Sequence, residues 1–284
     1  MDRTAVLFIG DADWAEFREV RSWLEAHAEL RTAAEIQGAI ESLHGGFDPA
    51  LIALADRWPG EFPERQVDGL RRMAPLARIS EVLGSWCEGQ TCSGEPLAGT
   101  LRHYWHQWIA RMAPEFARAA AGECPVWGLA PTATDEDRLL ALPGVLLPLP
   151  LGEGTSHASR RRDRPNSAHI SNRGLLAIHT RNAETASALC DAAARRGFGA
   201  VWVRSRPMPF ISGVRAAIWE ATRGTLDEAR ELAAWRSALG GVPLVALLDF
   251  PRLEDRDLAR AAGATLIVSK PFWLDDLFGQ IERM

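Results

Sequence analysis

The sequence predicts an α/β protein made of two doubly wound units, each a five-stranded parallel sheet covered by helices on both faces. Three observations lead there. Short runs that are apolar throughout alternate with helix-length segments whose apolar residues recur every three to four positions. Strands wetted on one face would alternate in polarity, so such runs belong to parallel sheets buried on both sides. The order of elements in the first half repeats in the second, as a duplicated architecture would. Between the halves, residues 152–173 read GEGTSHASRRRDRPNSAHISNR, too poor in large apolar side chains to offset the entropy of ordering, which predicts a flexible linker.

In the first half, 1–151, strand Ala5–Ile9 leads to helix Trp14–His27 and strand Arg31–Ala34 to helix Ile36–Leu43. Strand Ala50–Ala55 follows, then the turn Trp58-Pro59-Gly60 and helix Pro63–Met73, and Ala77–Leu83 is the fourth strand. The pattern then departs. Residues 84–99 read as a Gly/Ser/Cys loop, Leu101–Ala121 as a long aromatic-rich helix, Val126–Leu129 as the fifth strand and Asp135–Leu142 as the last helix. On this reading the stretch 84–121 is a helical insertion or an elaborated fourth helix.

In the second half, 174–284, strand Leu175–Ile178 precedes helix Ala183–Arg196, which Gly197 stops. Strands Ala200–Val203 and Ala216–Trp219 follow, then helix Leu226–Leu239 ending at Gly240-Gly241. Strand Pro243–Leu248, helix Asp255–Ala262, strand Thr265–Val268 and helix Trp273–Arg283 complete the unit. Two prolines in RSRPMPFISG, between Val203 and Val214, leave no room for a full second crossover helix. Five strands in such a span suit a flavodoxin-like, doubly wound sheet.

The chain's 284 residues, 47% hydrophobic and 24% charged, supply enough apolar side chains for two cores and exclude disorder, collagen and a small disulfide scaffold. The net charge of −5 divides into −9 for residues 1–151, +3 for the linker and +1 for the remainder, with no basic face or stripe to suit nucleic acid. Four cysteines in this length indicate a reducing cytoplasm. The run Ala5–Ile9 is short and runs into Asp11 and Asp13, unlike a secretory segment. Pro143–Leu151 is too short to span a membrane and is broken by Pro148 and Pro150.

The residues Val268-Ser269-Lys270-Pro271-Phe272, placed at the end of the last strand of a five-strand unit, resemble the Lys-Pro pair of the receiver domains of bacterial response regulators (CheY-like). The first half resembles the same family more loosely, through Asp48-Pro49-Ala50-Leu51-Ile52-Ala53-Leu54-Ala55-Asp56 and Pro59-Gly60. The resemblance implies chemistry that needs an acid pair after the first strand for Mg²⁺, an acceptor Asp after the third, a hydroxyl after the fourth, and the lysine. The second half offers His179 and Thr180, Glu220 and Asp249 at the first three places, so only Lys270 matches. Lys270 is also the only lysine among 32 basic residues, which suggests that a compact point charge is wanted there. A fixed Glu220–Lys270 ion pair in place of a switchable one is the expectation.

In the first half Asp11 and Asp13 stand where an acid pair would be, Asp56 lies about one residue beyond the acceptor position, and Ala130-Pro131 replaces Lys-Pro. A Mg²⁺ site from Asp11, Asp13 and Asp56 competes with plain N-capping by Asp11 or Asp13. Cys87, Cys92, His103 and His106 offer soft and imidazole ligands for Zn²⁺, although the spacing misses the zinc-finger pattern. Trp58, Trp105 and Trp108 are the candidates for a partner surface, since tryptophan is enriched there.

The resemblance with its missing groups implies a non-catalytic, cytoplasmic signalling protein. Two pseudo-receiver domains would act by contact with other signalling proteins, or with a second copy, and need no cofactor. Two alternatives stand beside it: a phosphorylatable receiver of a two-component system, using Mg²⁺ at the first-half carboxylates, and a zinc-binding or enzymatic role for 84–121.

Overall fold

A computed structural model of the chain describes residues 3–89, 96–130, 132–133, 173–204, 211–221 and 225–284. The first unit runs β1 (Ala5–Ile9), α1 (Arg18–His27), β2 (Glu29–Ala33), α2 (Ile36–His44), β3 (Leu51–Asp56), α3 (Glu64–Met73), β4 (Arg78–Leu83), β5 (Leu101–Tyr104) and α4 (Trp105–Ala120). Its strands pair in parallel in the order β2-β1-β3-β4-β5. Because side chains alternate across a strand, Val6, Phe8 and Ala53 face α1 and α4 while Leu7, Ile9, Ile52 and Leu54 face α2 and α3. Both faces are dry, which is why β3 carries no polar residue before Asp56.

The second unit runs β6 (Leu175–His179), α5 (Ala183–Arg195), β7 (Gly199–Trp202), β8 (Val214–Glu220), α6 (Leu226–Leu239), β9 (Leu244–Asp249), α7 (Leu253–Ala261), β10 (Leu266–Lys270) and α8 (Leu274–Arg283). Its order, β10-β9-β8-β6-β7, repeats that of the first sheet read from the other edge. This is the flavodoxin-like doubly wound arrangement, with its topological switch point between the first and third strands of each unit. Local sequence supports the helices: Asn182 caps α5, Thr225 and Glu228 form a capping box on α6, and Gly240 ends α6 at φ 61°. Among the described residues, the stretch from β7 to β8 holds no helix.

The first half departs from expectation at its end. The fifth strand is Leu101–Tyr104, paired with β4 from Ser80↔Leu101 to Leu83↔Tyr104, and the helix begins only at Trp105. Val126–Gly128 is a turn of 3-10 helix whose Trp127 packs on Phe116. Among the described residues there is thus no helical insertion, and Ala130 follows no strand. What differs from the second unit is the β4–β5 connection, whose described residues form only the 3-10 turn Ser85–Cys87. The strand is obscure in the sequence because Leu101-Arg102-His103-Tyr104 is mostly polar, as an edge strand can be. Pro131, the expected helix Asp135–Leu142 and the linker as far as residue 172 lie outside the described residues. Helix α1 starts at Arg18 rather than Trp14, since Asp11 Oδ1 accepts from Asp13 N (3.1 Å) in a turn and neither aspartate caps the helix.

The units touch along the outer edge of β10, which α4 covers. Gln107 Nε2 donates to Pro271 O (2.6 Å), Arg111 pairs with Asp276 (2.9 Å) and lies over Trp273 (3.7 Å), and Glu19 of α1 pairs with Arg256 (2.9 Å) and Arg260 (3.0 Å) of α7. Covering the edge in this way hides backbone groups that would otherwise invite strand pairing with another chain. Among the described residues no helix is long and apolar enough to cross a membrane.

Candidate functional site

The carboxyl ends of β8, β9 and β10 bring Glu220, Asp249 and Lys270 to one point. Register places them there: Glu220 pairs with Leu247, and Asp249 with Lys270. Lys270 Nζ lies 2.8 Å from Glu220 Oε1, 2.8 Å from Asp249 Oδ1 and 3.4 Å from Ala221 O. An ammonium has three donors and no acceptor, so the protein's own oxygens occupy all of them. The other oxygen of Glu220, Oε2, accepts from the Thr180 hydroxyl at the end of β6. Burial works against the charge on Lys270, but hydrogen bonds from it to Asp249 and Glu220 outweigh that and raise its pKa above the ordinary value. The ammonium is closed on itself, with no donor left for an incoming anion.

His179 does not join this cluster. Its Nδ1 lies 2.8 Å from Val203 O, and a carbonyl can only accept, so Nδ1 carries the hydrogen. The ring is buried against Trp219 and Trp235, with centroids at 6.4 and 5.0 Å. Pro271, joined to Lys270 by a cis peptide, turns its carbonyl toward Gln107 of the first unit. Phe250, after Asp249, has φ 38°, rare for a residue with a side chain, and meets Tyr104 edge to face at 5.9 Å.

At the matching edge of the first unit the expected acids are dispersed. Asp56 ends β3, paired with Leu83. Ala55 and its partner Val82 face α1 and α4, as Leu247, the partner of Glu220, faces α5 and α8, so Asp56 lies one residue beyond the acceptor place and points to the opposite face of the sheet. Asp56 is 5% exposed and its Oδ2 has no hydrogen-bond partner. Burial, then the charges of Glu81 and Glu61, push its carboxyl up to about 8, with Arg102 pulling the other way. Asp11 faces Arg57 at 3.6 Å, and Arg57 is held by Glu61 at 2.5 Å. Asp13 is exposed and pairs with Arg21. A hard divalent ion needs ionised oxygens converging; here two are matched to arginines and the third is a buried acid, protonated at neutral pH. Among the described residues, no three His, Cys, Asp or Glu side chains are grouped to hold a metal ion.

The zinc expectation meets the same difficulty. Cys87 is buried, and burial, followed by the charge of Asp56, pushes its thiol up to about 12, away from the thiolate a metal would need. Burial lowers His103 to about 4 and His106 to about 3, which keeps both imidazoles in the neutral form that a metal binds, so the obstacle lies with the Cys87 thiol. Cys92 lies outside the described residues. Of the three tryptophans expected at a partner surface, only Trp58 is open, at 45%, with Arg57 over its ring (4.2 Å). Trp105 and Trp108 are core: each is 2% exposed or less, and each indole N–H donates to a buried hydroxyl, Ser85 at 3.2 Å and Ser80 at 3.1 Å. Tryptophan at helical spacing buries more area than any other residue, and burial wins here.

Two features carry little signal in the sequence. Glu81 is 2% exposed in β4, where it accepts from Thr100 and faces Arg102 (3.4 Å); the signal was two polar residues, Ser80-Glu81, inside an apolar strand. Trp86, 68% exposed, is the most open tryptophan among the described residues, and nothing in its spacing sets it apart.

No protein-family model and no curated protein sequence matches this chain. Among the solved structures it is similar to are CheY-like response regulator receiver domains, each covering about two fifths of this chain. A response regulator CheY-like protein from Mesorhizobium loti is 15% identical, covering 38% of this chain and 96% of its own, with a TM-score of 0.32. A CheY-like receiver domain protein from Methanospirillum hungatei is 14% identical over 38% of this chain and 90% of its own, at 0.34. A CheY-like protein from Pseudomonas aeruginosa is 16% identical over 38% and 97%, at 0.34.

Proposed function

We propose that this chain is a non-catalytic signalling protein in which two receiver-like units, neither able to take up a phosphoryl group, act by contact with other proteins in the cytoplasm. The observation that carries this reading is the closed network Thr180–Glu220–Lys270–Asp249. A switch of the usual kind needs a lysine whose contacts change when an acceptor gains charge. Here the ammonium is saturated before any ligand arrives, and the carboxylate at the acceptor place spends its oxygens on Lys270 and Thr180. Such a unit has one resting arrangement rather than two. In the first unit, Asp56 is buried and held protonated, and a protonated acid is neither a nucleophile nor a good ligand for Mg²⁺. Trp58 and Trp86, both exposed, are the apolar anchors offered to a partner.

The test is beryllofluoride with Mg²⁺ added to the ¹⁵N-labelled chain. The expected outcome is that backbone resonances around Asp56, Glu220 and Lys270 stay where they are. Saturable shifts centred on Asp56 would favour a working phosphoacceptor and overturn the reading.

A further inference from the structure

Three of the four sheet edges are covered or guarded. Helix α4 covers β10, β2 carries Glu29 and Arg31, and β5 carries Arg102; charges on an edge discourage a further strand. The fourth, β7, reads Gly199-Ala200-Val201-Trp202, with neither charge nor proline, and among the described residues it pairs only with β6. Gly199 N donates to Gly174 O (3.0 Å) and Val203 N to Ile178 O (2.8 Å), so alternate residues, Gly199, Val201 and Val203, turn their backbone groups to β6. Ala200 and Trp202 therefore turn theirs outward, a row of donors and acceptors with no described strand beside it. Charge says what kind of segment would fit. Residues 195–204, which hold β7 and both its ends, include three arginines and no acid. Arg196 is met by Asp275, whereas Arg195 and Arg204 are exposed and form no ion pair among the described residues. Arg215, also exposed and without an ion pair, lies over the ring of Phe198 (5.8 Å), next to Gly199. Setting the two acids of α5, Glu184 and Asp191, against Arg195, Arg204 and Arg215 still leaves a positive excess.

We propose that β7 takes up an extended, acidic segment of a partner protein as a sixth strand of the second sheet, held by the backbone groups of Ala200 and Trp202 and by Arg195 and Arg204 at its two ends. In strand addition the main-chain hydrogen bonds supply affinity and the flanking side chains choose the partner. Arg204 lies over the Trp202 ring (4.8 Å), which keeps its guanidinium beside the strand it would serve. A second copy of this chain suits the edge poorly. Paired antiparallel, the two β7 strands set Arg204 of one copy against Arg195 and Arg196 of the other; paired parallel, they set each arginine against itself, and like charges placed so repel. The surface belongs to the second unit and is separate from Trp58 and Trp86, so it goes beyond the contacts those two offer.

The experiment titrates the full chain into short fluorescent peptides at constant ionic strength. One alternates valine and threonine with aspartates at both ends; a second has lysines in place of the aspartates; a third is the acidic peptide with a proline at its centre. The acidic peptide is expected to bind saturably below about 1 mM and to slow hydrogen exchange at the Ala200 and Trp202 amides, with α1 unchanged. The lysine and proline peptides are expected to bind at least about tenfold more weakly. Ala200→Pro removes an outward donor and no bond to β6, and is expected to weaken the acidic peptide by about tenfold. Arg195→Glu combined with Arg204→Glu changes only exposed side chains and is expected to reverse the preference, so that the lysine peptide binds better. Absence of saturation by the acidic peptide, equal binding of the lysine peptide, or undiminished affinity in the charge-reversed protein would each overturn the site. Full affinity in a folded Ala200→Pro protein would overturn strand addition. Protection of Ala200 and Trp202 that grows with protein concentration in the absence of peptide would assign the edge to a second copy and overturn the proposed occupant.

Discussion

Lys270 Nζ stands 2.8 Å from Glu220 Oε1 and 2.8 Å from Asp249 Oδ1, so one ammonium closes the carboxyl ends of three adjacent strands. The side chains of Lys270 and Glu220 are 20% and 15% exposed, against 41% for Asp249. Removing one member of a largely buried pair strands the other, which costs more than the pair itself is worth. Glu220→Gln and Lys270→Met are therefore each expected to destabilise by about 1–3 kcal/mol, with a coupling of about 1 kcal/mol or more in the double-mutant cycle. Urea unfolding of the four proteins measures it, and additive effects would show that the two groups do not interact. Asp249→Asn, nearer solvent, is expected to cost less than about 1 kcal/mol.

Asp56 predicts a pH dependence of definite sign. Its folded-state pKa, pushed up to about 8 by burial and by Glu81 and Glu61, lies above the ordinary carboxylate value. The folded state therefore holds a proton that the unfolded chain releases. That contribution is fully present below about pH 4 and is lost as pH rises through about 8. Urea midpoints at about pH 6 and about pH 9 are expected to fall with pH in the parent chain and much less in Asp56→Asn, which keeps the shape without the proton. The variant is expected to gain on the order of several kcal/mol at the higher pH. Glu81, also raised by burial, titrates in the same direction, so the comparison with the variant isolates Asp56.

Two tryptophans separate core from surface. Trp108, fully buried with its N–H on Ser80, is expected to cost about 3–5 kcal/mol on replacement by alanine. Trp58→Ala is expected to stay within about 0.5 kcal/mol. Chemical unfolding distinguishes them, and equal costs would contradict the placement of either ring.

The seam between the units rests on Glu19, which meets both Arg256 and Arg260. Arg256 has 7% side-chain exposure and lies over Trp105 at 4.9 Å, so losing its carboxylate leaves a buried guanidinium. Glu19→Gln is expected to cost about 1–3 kcal/mol and to speed hydrogen exchange in α1 and α7 while α5 is unchanged. Uniform acceleration across both units would mean that Glu19 serves the first core and not the seam.

Much of this architecture was legible because both sheets are dry on both faces. Runs such as Leu51–Ala55 and Leu244–Leu248 have no amphipathic reading and mark their strands nearly to the residue. Leu101–Tyr104 was hidden for the converse reason: it pairs through backbone hydrogen bonds while carrying Arg102 and His103, and it runs straight into a helix. In the site, Glu220 and Lys270 could be placed by their strand ends alone. Asp249 as second counter-ion and Thr180 as donor to Glu220 depend on side-chain direction, which strand order does not specify. The seam was beyond reach, since Glu19 and Arg256 lie far apart in the chain and each looks like an ordinary surface charge on an amphipathic helix.

Neither strand-end cluster is expected to accept a phosphoryl group. Intact-mass measurement after incubation with acetyl phosphate and Mg²⁺ tests it directly. The expected result is the unmodified mass throughout. A phosphoryl adduct mapped to Asp56 or Asp249 would contradict it.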